Sequence, residues 1–162
     1  MPGFRESPNR NIGRAGYKPE AIVIHICDGS YEGCHNWLLN PKSQVSAHYI
    51  VKKDGCYDQL VKFEDTAWHC GGVVRPTWKL LKKNVNPNLY TIGIEIGIKA
   101  GEQPLKKTIR RVADIVQYLC GRFDIPCDRD HVIGHCEITA AKTCPGALVS
   151  VDAIVYLANL PD

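Results

Sequence analysis

Three residues far apart in the chain share a chemistry: His25 at the end of AIVIH, His135 in VIGH, and Cys144 in KTCPG. Two imidazoles and one thiolate make a nitrogen- and sulfur-rich donor set suited to tetrahedral zinc, one ion per chain, with one position left open. An open position on a metal is where a water or a substrate oxygen is activated. Glu95 is the most telling carboxylate, because a charge inside the apolar run TIGIEIGI is costly unless it works or is paired. Its neighbours Gly93 and Gly97 are expected to leave open space over its face, as a cleft needs. Lys142 stands two residues before Cys144, so its ammonium would lie near any ion the thiolate held and could stabilise an oxyanion. His48 and His69 are further candidates for substrate contact, and each could equally cap local backbone.

Plainer readings compete with each of these. His25 could be a satisfied core histidine, Glu95 an edge-strand residue facing water, Cys144 an exposed turn thiol and Lys142 a solvated loop charge. His131 and His135 could form an i, i+4 zinc pair on a helix, but Gly134 and the β-branched Val132 and Ile133 argue against a helix there.

The elements that must position these residues follow from hydrophobic period. AIVIHIC reads as a strand with Ile22, Ile24 and Ile26 on one face and His25 on the other, beside Val23 and Cys27. In TIGIEIGI the isoleucines 92, 94, 96 and 98 point one way, while Thr91, Gly93, Glu95 and Gly97 point the other. AHYIVKKDGCYDQLV predicts a hairpin between residues near 47–53 and 56–61, with Asp54-Gly55 as a two-residue turn. HVIGH predicts a short strand with a turn that presents His135 at a sheet end. The longest helix is expected over 104–123: Leu105, Ile109, Val112, Val116 and Leu119 recur at helical spacing, Pro104 suits its first turn and Gly121 its end. Shorter helices are expected near 31–39 and 151–159, the latter capped by Ser150 and stopped by Pro161. Alternating strands and helices imply an α/β fold, with a central mixed β-sheet flanked by helices.

Composition narrows the class. The 162 residues, 44% of them hydrophobic, fit one globular domain spanning 1–162. The polar start MPGFRESPNRNIGR does not read as a signal peptide, and no apolar run is long enough for a membrane span. Synthesis in the cytoplasm without membrane insertion is therefore expected. Eight cysteines without a CxxC pair argue for reduced thiols rather than a disulfide framework, a zinc ribbon or a thioredoxin-type site. A net charge of +3 falls short of a nucleic-acid-binding surface.

Taken in order, IVIHIC, SAHYIVKKDG, AWHCGG, YTIGIEI and VIGHCEITAAKTCPG resemble the zinc-dependent N-acetylmuramoyl-L-alanine amidases, the amidase-2 group related to peptidoglycan recognition proteins. Each string is weak alone, but five in register from about Ala21 to Gly146 make a specific signal. Small size and the polar start look most like a bacteriophage endolysin catalytic domain. The resemblance implies that His25, His135 and Cys144 bind zinc closed by water, that Glu95 is the general base and that Lys142 assists. It also implies hydrolysis of the bond between N-acetylmuramic acid and L-alanine, with bacterial peptidoglycan as partner and a monomer acting on the wall after release. Arg75, Lys79, Lys82 and Lys83 could assist docking to wall carboxylates or phosphates.

Two features depart from that family. Some members carry a tyrosine in a GYHF or GYNF string where this chain has Ala47 in SAHY, so a tyrosine-assisted mechanism is not expected. No wall-binding module is recognisable after Pro161. The alternatives are a non-catalytic peptidoglycan-binding relative, which would normally have lost a ligand, and a purely structural zinc, which usually takes four protein ligands.

Overall fold

The computed structural model describes residues 3–161. In chain order its elements are β1 (Gly3–Phe4), β2 (Arg10–Asn11), β3 (Ala21–Ile26), α1 (Tyr31–Leu39), β4 (Tyr49–Val51), β5 (Tyr57–Gln59), β6 (Thr66–Ala67), β7 (Thr91–Ile96), α2 (Lys106–Phe123), β8 (Val132–Gly134) and α3 (Val151–Ala158). Six strands form one mixed sheet in the order β1-β5-β4-β7-β3-β8, and β2 pairs with β6 in a separate ribbon. β3 runs parallel to both β7 and β8, and only the β4–β5 pair within the large sheet is antiparallel. The mixed sheet flanked by helices matches the reading of the sequence.

The period-2 alternation of β3 and β7 sorts the sheet into two faces. Ile22, Ile24, Ile92, Ile94 and Ile96 are fully buried and pack with Val112, Val116 and Leu119 of α2 and Val151 and Ile154 of α3. Two smaller clusters cover the other face. Ile50 of β4 packs with Leu38 of α1, Ala47 and Leu60, while Val23 and Ile133 pack with Trp78, Tyr90 and Ile138. The middle of that face is left to polar side chains.

Three local expectations are corrected. The β4–β5 hairpin turns through three residues rather than two: Lys52 and Cys56 still pair (2.7 Å), Gly55 N–H donates to Lys52 C=O (3.0 Å), and Gly55 sits at φ +88°. That geometry is a turn followed by a left-handed residue, which suits glycine at the third loop position. In α2, Leu105 is the half-exposed N-cap, which leaves Pro104 outside the helix, and Gly121 lies inside. The helix ends at Asp124 with φ 55°, a left-handed cap that an aspartate tolerates. Ser150 caps α3 as predicted, accepting from Ala153 N–H at 3.1 Å. Among the described residues no helix is long and apolar enough to cross a membrane.

Candidate metal centre

Register places the first two site residues side by side. β3 and β7 are parallel neighbours with His25 opposite Glu95, so both side chains rise from the same face. His135 follows β8 directly, as the first residue of a 3-10 turn over His135–Glu137. The Cys144 loop is drawn onto that strand end by Cys136 N–H, which donates to Cys144 C=O at 2.9 Å. Gly134 allows the approach, since a Cβ there would lie 2.7 Å from Pro145 Cδ. Ile26 N–H in turn faces Cys144 Sγ at 3.3 Å. One donor atom from each of His25, His135 and Cys144 thereby comes within 4.8 Å of the others.

Hydrogen bonds assign the imidazole tautomers. Thr91 Oγ1 donates to Pro87 C=O (2.8 Å), so it accepts from His69 Nε2–H (3.2 Å). His69 Nδ1 must then be the acceptor for His25 Nε2–H at 3.1 Å, which leaves the His25 Nδ1 lone pair free. His135 Nε2–H donates to Cys70 C=O at 2.9 Å and likewise frees Nδ1. In a metal site the far nitrogen of a ligand imidazole is usually held in this way, by a carbonyl or another side chain that fixes the tautomer and the ring orientation.

Electrostatics point the same way. Burial holds His25 and His69 well below the ordinary histidine range and also lowers His135, so all three imidazoles are neutral at pH 7 and each keeps one unprotonated ring nitrogen. Burial and the nearby Glu95 charge raise the Cys144 thiol to about 12 in the metal-free chain. Glu95 itself is pushed up to about 7 by burial, with Lys142 opposing the shift. Its Oε2 is shielded from solvent and has no hydrogen-bond partner among the described residues. A buried carboxylate oxygen without a partner, beside two neutral imidazoles and a thiol, fits a dication and its water. The donor types are those of zinc.

These groups line one cleft of about 570 Å³, with Trp37 and Trp68 on its walls and exposed Lys142 at its rim. His25, His69, Glu95, His135, Lys142 and Cys144 therefore converge. His48 does not. It is fully buried outside the cleft lining, with Nδ1 accepting from Gly93 N–H (3.1 Å) and Nε2 2.8 Å from Arg14 Nη2, so it braces β7 and cannot touch a substrate. Tyr49 packs in the isoleucine cluster on the far face, and no tyrosine lines the cleft. Arg75, Lys79, Lys82 and Lys83 lie outside it, and Lys82 is paired with Glu20 at 2.7 Å.

The expected open space beside Glu95 is also corrected. A Cβ on Gly93 would lie 2.6 Å from His69 Cγ, and one on Gly97 3.0 Å from Tyr31 Cβ. Both glycines admit neighbouring side chains rather than a void. What the sequence reading missed is the relay from Pro87 through Thr91 and His69 to His25. Its only signal was that Thr91 shares a face with Glu95. The approach of Cys27 and Cys34 to Glu95 was missed as well.

The family model described as N-acetylmuramoyl-L-alanine amidase matches residues 15–147. N-acetylmuramoyl-L-alanine amidase A of Achromobacter lyticus is 32% identical over 127 residues, which are 76% of this chain and 64% of that protein. The 1,6-anhydro-N-acetylmuramyl-L-alanine amidase AmpD of Salmonella typhimurium is 32% identical over 164 residues, 86% of this chain and 81% of that protein. The chain thus spans just under two thirds of one relative and about four fifths of the other. Among solved structures, a crystal structure of an AmpD derivative superposes with a TM-score of 0.76 at 22% identity, covering 98% of this chain and 94% of that one. The amidase AmiD from E. coli, in complex with anhydro-N-acetylmuramic acid-L-Ala-D-gamma-Glu-L-Lys, superposes with a TM-score of 0.73 at 23% identity over 88% of this chain and 59% of that one. The chain belongs to the N-acetylmuramoyl-L-alanine amidase family.

Proposed function

We propose that this chain is a zinc-dependent hydrolase of the amide bond between N-acetylmuramic acid and L-alanine in bacterial peptidoglycan. The observation that carries the reading is the convergence of His25, His135 and Cys144 beside a buried Glu95 oxygen without a partner. The family match supports the bond class, and the substrate complex of the structurally similar AmiD supports the chemical type of ligand.

His25 and His135 through Nδ1, and Cys144 through Sγ, would hold the ion. When bound, zinc supplies Lewis acidity toward a carbonyl oxygen and a water whose pKa falls toward ~7. Glu95 takes a proton from the attacking water, whose oxygen bonds to the lactyl carbonyl carbon. The carbon–nitrogen bond then breaks, and the same carboxyl returns the proton to the L-alanine nitrogen. A raised Glu95 suits both roles, since a group near neutrality gives up the proton it has taken. Lys142 offsets the negative charge that develops on the carbonyl oxygen. Trp37 and Trp68 give the substrate apolar walls, and the chain works as one catalytic domain on the cell wall, as a monomer.

Purified protein is expected to hold about one zinc and to release L-alanine amino termini from cell walls without new reducing sugar ends. Glu95→Ala should abolish release while keeping the metal. New reducing ends would instead mark a glycosidase and overturn the reading. Wall binding without any release would establish the non-catalytic alternative.

A further inference from the structure

A second cluster of soft and hard donors shares the cleft. Cys27 leaves the end of β3 and Cys34 rises from the first turns of α1, and one donor atom each from Cys27, Cys34 and Glu95 lies within 4.8 Å of the others. Both cysteines are free and only partly buried, and both line the cleft that holds His25, His135 and Cys144. Glu95 supplies the second observation, because its shielded Oε2 has no partner among the described residues.

The geometry points to a second, inhibitory metal site in which Cys27, Cys34 and Glu95 bind a thiophilic dication such as zinc or cadmium. Ligand bonds of about 2.3 Å to sulfur and about 2.1 Å to oxygen set donors roughly 3.6–3.8 Å apart around a tetrahedral ion, so donors already within 4.8 Å need close by about 1 Å at most. The two thiol protons pass to solvent as the ion enters, and cleft water fills its remaining position. Two sulfurs and one carboxylate select soft or borderline ions over magnesium or calcium. Occupancy would be self-limiting for the enzyme. A carboxylate bonded to this ion cannot take a proton from water, so metal in excess of the first equivalent would stop the reaction proposed above, on which the inhibitory consequence rests. Cys27 follows His25 by two residues, just past the end of β3, and both line the same cleft, so the two ions would be neighbours.

Cadmium titration of the whole, reduced protein tests this, with ion count by native mass spectrometry and thiolate-to-cadmium charge transfer by ultraviolet absorption. The wild-type chain is expected to take up one more cadmium ion than Cys34→Ser, with a matching loss of charge-transfer intensity in the variant. Other cysteines remain in both proteins and cancel in the difference. Glu95→Gln should weaken that additional ion by at least about tenfold, since it replaces an anionic ligand. Equal ion counts in wild type and Cys34→Ser, or undiminished affinity in Glu95→Gln, would overturn the site. The His135→Ala variant separates this result from the first reading: it should lose the first ion and keep the additional one. In wall-digestion assays, excess zinc should inhibit the wild type and spare Cys34→Ser, and equal sensitivity of the two would overturn the inhibitory role.

Discussion

The two faces of β7 are built to opposite rules. On one, Ile92, Ile94 and Ile96 are fully buried and pack with the apolar residues of α2 and α3. On the other, Thr91, Gly93 and Glu95 meet histidines, and Thr91 holds His69 in one tautomer while Glu95 keeps an oxygen without a partner. Apolar burial on the first face supplies the stability that lets the second keep a costly arrangement. Adjacent residues should therefore respond in different currencies. Glu95→Gln is expected to lower amidase turnover by roughly 10²–10⁴-fold with the fold intact. Ile94→Ala, one residue away and facing the other side, should cost about 2–5 kcal/mol of stability and leave kcat/KM of the folded fraction nearly unchanged. Denaturant unfolding and turnover measured on both variants check the contrast, and an Ile94→Ala enzyme with normal stability but low turnover would break it.

That contrast also marks what could be read in advance. Strict alternation in AIVIHI and TIGIEI assigns both faces from sequence alone, because the period of a strand is fixed by its geometry. The candidate ligands and Glu95 followed, since a charge or imidazole on an otherwise apolar strand stands out. His48 was illegible for the same reason that His69 was ambiguous: both stand beside strands or turns, and only tertiary contacts decide that one braces Gly93 N–H while the other faces His25. Gly93 misled because a glycine without a side chain reads as empty space, whereas here an imidazole fills it. The Asp54-Gly55 turn missed by one residue, since a left-handed glycine serves two-residue and three-residue loops alike.

The pH dependence of the metal-free protein separates the faces further. Glu95 is raised from 4.5 to about 7, so the folded chain keeps a proton that the unfolded chain gives up. Stability therefore falls as pH rises through that window, by about 3 kcal/mol in total from this group. His25, His48, His69 and His135 act in the other direction. They stay neutral in the fold while the unfolded chain protonates below about 6.5, so their contribution is present above that pH and lost as pH falls. After chelation, Glu95→Gln should be more stable than the wild type at pH 8 and no more stable at pH 4, read by thermal unfolding at both. Equal stability at pH 8 would show that Glu95 is not held in a destabilised charged state.

Gly93→Ala probes the relay. The new Cβ would lie 2.6 Å from His69 Cγ, so the imidazole must move and release His25 Nε2–H. Overpacking of this kind costs about 1–3 kcal/mol. Losing the partner that orients a ligand should lower zinc affinity by about 10–100-fold, measured by competition with a chelator. Affinity unchanged alongside a displaced His69 would show that the tautomer of His25 does not depend on this contact.

The smallest effect belongs to the apolar side. Ser150 caps α3 by accepting from Ala153 N–H, and α3 lays Val151 and Ile154 against the isoleucine face without reaching the cleft. Ser150→Ala should cost about 1 kcal/mol of stability. Zinc affinity, turnover and the Glu95-dependent difference at pH 8 should all stay as they are, because no cap contact touches β7. A loss of zinc affinity in this variant would mean that the two faces are mechanically coupled through the sheet, and that the isoleucine layer sets the His25–Glu95 geometry as well as supporting it.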